Sequence, residues 1–145
     1  MSANTVSLLL ACLAMMLLVA MVGALLLKTR VTEMKRKRVH PQSVATARAM
    51  GERLENTAPA DNFRNLFELP VMFYALVAVA LAVRVVPTWL CVGAWAFVAL
   101  RYLHSAIHCS YNQVMHRLYA FLAGFTLLVG LWIAFVVSLS GSGAA

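Results

Sequence analysis

The sequence predicts an all-α fold, an integral membrane bundle of four transmembrane helices. Three observations carry this. Of 145 residues, 63% are apolar and 12% charged, and mean hydropathy is +0.83. The apolar residues form four long blocks, which a soluble core does not need. Most of the net charge of +7 falls in one segment between the first two blocks. The length suits one domain, so residues 1–145 read as a single transmembrane domain.

The first span is expected at residues 5–27, which carry no charge and exceed the roughly 20 residues a spanning helix needs. Its leader, MSANTV, lacks a basic n-region, and the apolar run is longer than a signal peptide's usual 7–15 residues. A retained helix is therefore expected. The segment 28–62 follows, with Lys28, Arg30, Lys35, Arg36, Lys37, Arg38, Arg48 and Arg53 against Glu33, Glu52, Glu55 and Asp61. The positive-inside rule explains this bias without a nucleic-acid partner, and anionic headgroups of membrane lipids are a second attraction. Loops 28–62 and 109–117 are thus expected in the cytoplasm and both termini outside.

Within that loop, Pro41 opens a short surface helix ending near Asn56. Residues 58–61 read as a turn, with Asp61 or Asn62 capping the second span, expected at 63–84. Pro70 inside this span removes a hydrogen bond to the Leu66 carbonyl and predicts a kink. A tight outer turn from Arg84 to Pro87 leads to the third span, 87–109. The fourth is expected at 117–139, followed by a flexible GSGAA tail. Three scattered cysteines, Cys12, Cys91 and Cys109, make no disulfide framework.

Polar residues concentrate in LRYLHSAIHCSYNQVMHR, from Leu100 to Arg117. At 100° per residue, Arg101, His104, Ser105, His108 and Asn112 share an arc of about 100°, and lipid cannot satisfy such a stripe. Along a continuous second helix, Glu68 lies about 25 Å from the outer turn and Arg101 about 21 Å. Burying either alone costs about 2.5 kcal/mol or more, so a Glu68–Arg101 pair is expected. Asn65 shares a side with Glu68, and Arg64, four residues before Glu68, is placed to pair with it. Arg117 stands at a helix N-terminus that favours anions. Arg64, Asn65, Glu68, Arg101, His104, Ser105, His108, Asn112 and Arg117 are expected to converge, with Arg36 and Arg38 nearby. Cations outnumber anions there. This suits an anionic ligand carrying an ammonium or amide for Glu68 and Asn65.

His104 and His108 at i,i+4 also have a metal spacing, with Cys109 and His116 close. No carboxylate joins them on that face, and Cys109 points about 100° away from His108. No metal site is expected.

NLFELP (Asn65 to Pro70) and RYLHSAIH…R (Arg101 to Arg117), set within four spans and a basic first loop, resemble the MAPEG family. These are membrane-associated proteins in eicosanoid and glutathione metabolism. The resemblance implies a homotrimer that binds glutathione between subunits near the cytosolic face. It implies that Asn65 and Glu68 hold the peptide and amine parts of glutathione, with Arg64, Arg101 and His104 as further contacts. Arg117 matches the arginine that stabilises the thiolate, with Ser105 and His108 as lesser candidates. Arg36 or Arg38 matches the loop arginine given by a neighbouring subunit. Where eicosanoid enzymes of the family carry tyrosines, this chain has His104 and His108, and Asp61 stands where an arginine is common.

Two functions stay open. One is a glutathione- or similar thiol-dependent transferase or peroxidase in a bacterial inner membrane, acting on a lipophilic electrophile or hydroperoxide. The other is a non-catalytic MAPEG-fold protein that binds a lipid, an anion or a protein partner.

Overall fold

A computed structural model describes residues 1–142. Six α-helices and one 3₁₀ turn follow in order: α1 (Ala3–Lys37), the turn Pro41–Val44, α2 (Ala47–Arg53), α3 (Ala58–Asn65), α4 (Leu69–Ala82), α5 (Thr88–Cys109) and α6 (Val114–Ser142). Four helical stretches are long and apolar enough to cross a membrane: α1, the α3–α4 unit, α5 and α6.

The first helix starts on a Ser2 cap, whose hydroxyl accepts from the Thr5 N–H. It continues ten residues beyond the apolar run, through Lys28 to Lys37, before Arg38 closes it in a left-handed conformation. Thirty-five residues rise about 52 Å, against a hydrocarbon core of about 30 Å. The basic segment therefore begins as a helical stalk rather than a loop. Leu8, Ala11, Met15, Leu18, Val22, Leu26 and Glu33 form its buried stripe, the 3–4 spacing of one helix face.

Beyond Arg38, the expected surface helix divides into the turn Pro41–Val44 and α2, which Thr46 caps through the Ala49 N–H. Residues 58–61 are helical rather than a turn, because Pro59 sits in the first turn of α3, where its missing N–H costs nothing. Neither Asp61 nor Asn62 caps a helix. Asp61 lies in that first turn and Asn62 is buried.

Pro70 does more than kink the second span. The helix breaks over Leu66–Glu68, and Pro70 lies in the first turn of α4. Leu66, Leu69 and Pro70 turn inward while Glu68 is exposed.

Helices α1 and α5 run side by side in the same direction, joined by a ladder of polar contacts. Asn4 Nδ2 donates to the Val86 carbonyl (2.9 Å), Trp95 Nε1 to Ser7 Oγ (3.1 Å) and Tyr102 Oη to the Ala14 carbonyl (2.8 Å). α5 is the hub and packs on α6, α1 and α3. Phe73 of α4 stacks on Phe97 of α5 at 5.0 Å, at the centre of the apolar core. α6 continues into the first two residues of the GSGAA tail; the rest of that tail lies outside the described residues.

Candidate functional site

The polar arc of α5 is buried. Arg101 is 0% exposed, His104 2%, Ser105 3% and His108 1%. The neighbours of these side chains differ from those expected. Among the described residues no carboxylate lies within ion-pair distance of Arg101. The Glu68–Arg101 pair is absent within the subunit because the Leu66–Glu68 break turns Glu68 outward. Arg101 instead lies between two ring faces, 5.4 Å from the Phe97 centroid and 5.3 Å from that of Phe121. Its Nη2 donates to the Phe121 carbonyl at 3.4 Å. Each ring supplies the partial negative charge of its π face, worth about 2 kcal/mol where water is excluded. Nε and Nη1 have no protein partner.

One turn further, His104 Nδ1 contacts the backbone carbonyl of Arg117 at 3.1 Å. A carbonyl only accepts, so the ring carries its proton on Nδ1 and leaves a lone pair on Nε2. Arg117 Nη1 donates to His108 Nε2 (3.2 Å) and to Asn112 Oδ1 (2.9 Å). His108 is thereby fixed as the same tautomer. Both partners of the Arg117 side chain are neutral, so its charge is oriented but not cancelled.

Asn65, His104, Val114, Arg117, Leu118 and Phe121 line a cleft of about 160 Å³ at the basic end of the bundle. His108 and Asn112 join it through Arg117, and Arg101 through Phe121. The other expected members lie elsewhere in the subunit. Ser105 donates to Asn62 Oδ1 at 3.3 Å. Glu68 and Arg64 are exposed on either side of Asn65 in the chain, with Arg64 3.9 Å from Asp61. Arg36 is exposed, 4.0 Å from Glu55, and Arg38 is exposed where α1 ends. Among the described residues, no group of three or more His, Cys, Asp or Glu side chains is placed to hold a metal ion.

The MAPEG family model matches residues 5–137, from the first turn of α1 to near the end of α6. The chain belongs to the MAPEG family. No curated protein and no solved structure matches it. With four helices able to span a bilayer, this MAPEG protein is an integral membrane protein.

Two polar residues of this MAPEG protein, expected only as a helix cap (Asn62) and a loop cation (Arg30), lie among the buried polar contacts and pockets around the site. Asn62, fully buried, also donates from Nδ2 to Cys109 Sγ at 3.2 Å, so one amide ties α3 to α5. Arg30 is half-buried and lines a pocket of about 210 Å³ with Asp61 and Arg64. Its signal was present: the buried α1 stripe at 18, 22 and 26 reaches position 30 at the next step of four. On the stalk, Glu33 is buried and accepts from the Glu55 N–H (2.8 Å) and from Lys37 (3.0 Å). The Glu55 N–H bond, outweighing desolvation, holds the Glu33 carboxyl below its ordinary range.

Proposed function

We propose that this chain is a membrane-embedded glutathione-dependent transferase or peroxidase that acts on a lipophilic electrophile or hydroperoxide. The observation that carries the reading is Arg117. Its guanidinium is held by neutral acceptors only, at the rim of a cleft it shares with Asn65 and His104. A fixed cation without a counter-ion favours an anion beside it and lowers the pKa of a thiol brought there. Glutathione supplies such a thiol, with two carboxylates, an amine and two amides.

In this scheme Asn65 bonds a peptide amide, and Arg117 steadies the sulfur as its proton leaves. The sulfur then attacks an electrophilic carbon and forms a C–S bond while the leaving group departs. With a hydroperoxide, it takes the terminal hydroxyl and becomes a sulfenic acid as the O–O bond breaks. The alkoxide takes up the thiol's proton and leaves as the alcohol, and a second glutathione condenses with the sulfenic acid to give the disulfide and water. Arg101 underlies the cleft through Phe121, and His104 forms part of its wall.

A cleft of about 160 Å³ is smaller than the roughly 300 Å³ or more of a pocket that encloses a whole ligand. This supports a site completed by another copy, in a homotrimer where exposed Arg64 and Glu68 meet Arg38 of a neighbour. The basic end would face the cytoplasm of a bacterial inner membrane, with both termini outside.

The test is glutathione added to the purified protein in detergent, followed by thiolate ultraviolet absorbance and by turnover of an activated aryl halide and a lipid hydroperoxide. A thiolate signal that disappears in Arg117→Ala is expected. Stable protein with neither thiolate nor turnover overturns the reading.

A further inference from the structure

A groove follows one stripe of α1 on the side of α5 away from the cleft. Its inner section, about 230 Å³, is lined by Leu18, Met21 and Leu25 of α1 and by Tyr102, Ala106 and Cys109 of α5. The outer section, about 420 Å³, continues along α1 past Lys28, Thr32, Glu33 and Arg36, with Glu55 opposite. Leu25 borders both sections, so they adjoin. Positions 18, 21, 25, 28, 32 and 36 step by three or four along one helix face, about 27 Å in all. The stripe is apolar as far as Leu25. It turns hydroxylic and cationic at Lys28, the first charge after the apolar run.

On α5, at 100° per residue, Tyr102, Ala106 and Cys109 point about 140–200° from His104. Ser105, which also lines the inner section, points about 100° away and is held by Asn62. No residue lines both the groove and the Arg117 cleft. The groove is therefore separate from the Arg117 cleft. Its charges are also sorted. The Glu33 and Glu55 carboxylates both engage Lys37, at 3.0 and 2.8 Å. Arg36 keeps only a 4.0 Å contact to Glu55, and Lys28 has no ion pair among the described residues. An apolar trough that opens, at the end of the apolar run, onto Lys28 without a counter-ion among the described residues and Arg36 only loosely paired matches a molecule with a hydrocarbon chain and an anionic head.

We propose that this groove binds one anionic phospholipid from the leaflet at the basic end. An acyl chain lies between α1 and α5, and the phosphate sits at Lys28 with Arg36 beside it. The charge order along the stripe identifies the occupant, because a phospholipid presents the same order at the same depth.

The experiment reconstitutes the full-length protein in vesicles of equal phosphatidylcholine and phosphatidylglycerol. The protein is re-extracted in mild detergent, and the retained lipid is counted by native mass spectrometry. About fivefold enrichment of phosphatidylglycerol is expected, the weight of one basic residue near an anionic surface. Lys28→Gln with Arg36→Gln returns the ratio to that of the vesicle. Ala106→Phe, at an exposed position, fills the inner section and lowers retention of both lipids. Retention at the vesicle ratio by the unmodified protein overturns the proposal, as does unchanged retention in both variants. An oligomer that retains no lipid, and whose mass changes with Ala106→Phe, assigns the groove to a second copy and also overturns it.

Discussion

Arg101 Nη2 lies 2.7 Å from the point where a Cβ on Gly124 would stand, with Nε and Cζ at 3.4 and 3.5 Å. The most deeply buried cation of the bundle thus rests on bare backbone of α6. An arginine tip is normally free to swing aside. Here the Phe97 and Phe121 rings flank it, and the guanidinium must move as a unit. Gly124→Ala is expected to destabilise the protein by about 1–3 kcal/mol, the range of an overpacked core. Gly130, on the same helix, has nothing within 4 Å of the point its own Cβ would occupy. Gly130→Ala is expected to be neutral or slightly stabilising, since alanine is the better helix former. Thermal unfolding of the two variants in one detergent checks the contrast, and equal melting temperatures would refute it.

Asn112 positions Arg117 in two ways. It takes a left-handed conformation, φ 47°, just after α5, and its Oδ1 accepts from Arg117 Nη1. Asn112→Gly keeps the backbone and removes the side-chain bond. Glutathione thiolate formation is expected to weaken several-fold with little loss of stability. Asn112→Ala adds the cost of a left-handed residue, about 1–2 kcal/mol, and is expected to lower stability as well. Thiolate absorbance against melting temperature separates the two effects. Unchanged absorbance in both variants would show that Arg117 needs no such support.

The four spans were legible because hydropathy is a property of composition, and the polar arc because it needs only the helical period. The Glu68–Arg101 pair failed for a definite reason. Its depths were counted along a continuous helix, and the break at Leu66–Glu68 removes that premise although Pro70 announced it. A helical wheel counts formal charges, so it sought a carboxylate for Arg101. The partners are two ring faces and the Phe121 carbonyl, none of which carries a formal charge. Arg36 and Arg38 lie apart from the cleft because α1 extends as a stalk through the basic segment, which no apolar pattern reveals.

Asn62 offers a third test. Both ends of its amide are engaged by residues of α5: Oδ1 accepts from Ser105 Oγ, and Nδ2 donates to Cys109 Sγ. Asn62→Ala leaves the Ser105 hydroxyl without its acceptor in a buried site, a loss of about 1–3 kcal/mol. Asn62→Ala combined with Ser105→Ala removes both partners and is expected to recover part of that loss. Melting temperatures of the two single variants and the double variant measure the coupling, and strictly additive losses would argue against the bond.

The last prediction concerns acid. Glu33 anchors the segment after α2 to the α1 stalk through the Glu55 and Asn56 N–H groups. Its carboxyl is held below the ordinary value of 4.5, chiefly by the Glu55 N–H bond. A depressed carboxyl contributes stability above its unfolded value and loses it as pH falls through the folded one. Docking of this segment is therefore expected to be complete at neutral pH and to fail in acid, below the ordinary carboxyl range. Glu33→Gln keeps the shape but loses the charge, and is expected to loosen the segment at every pH. Proteolysis between Arg38 and Asn56, timed across an acid pH series with an acid-active protease, reads this directly. In the unmodified protein cleavage should accelerate only in acid, and in Glu33→Gln it should be fast and nearly flat with pH. A variant that keeps the acid transition would place the titrating group elsewhere.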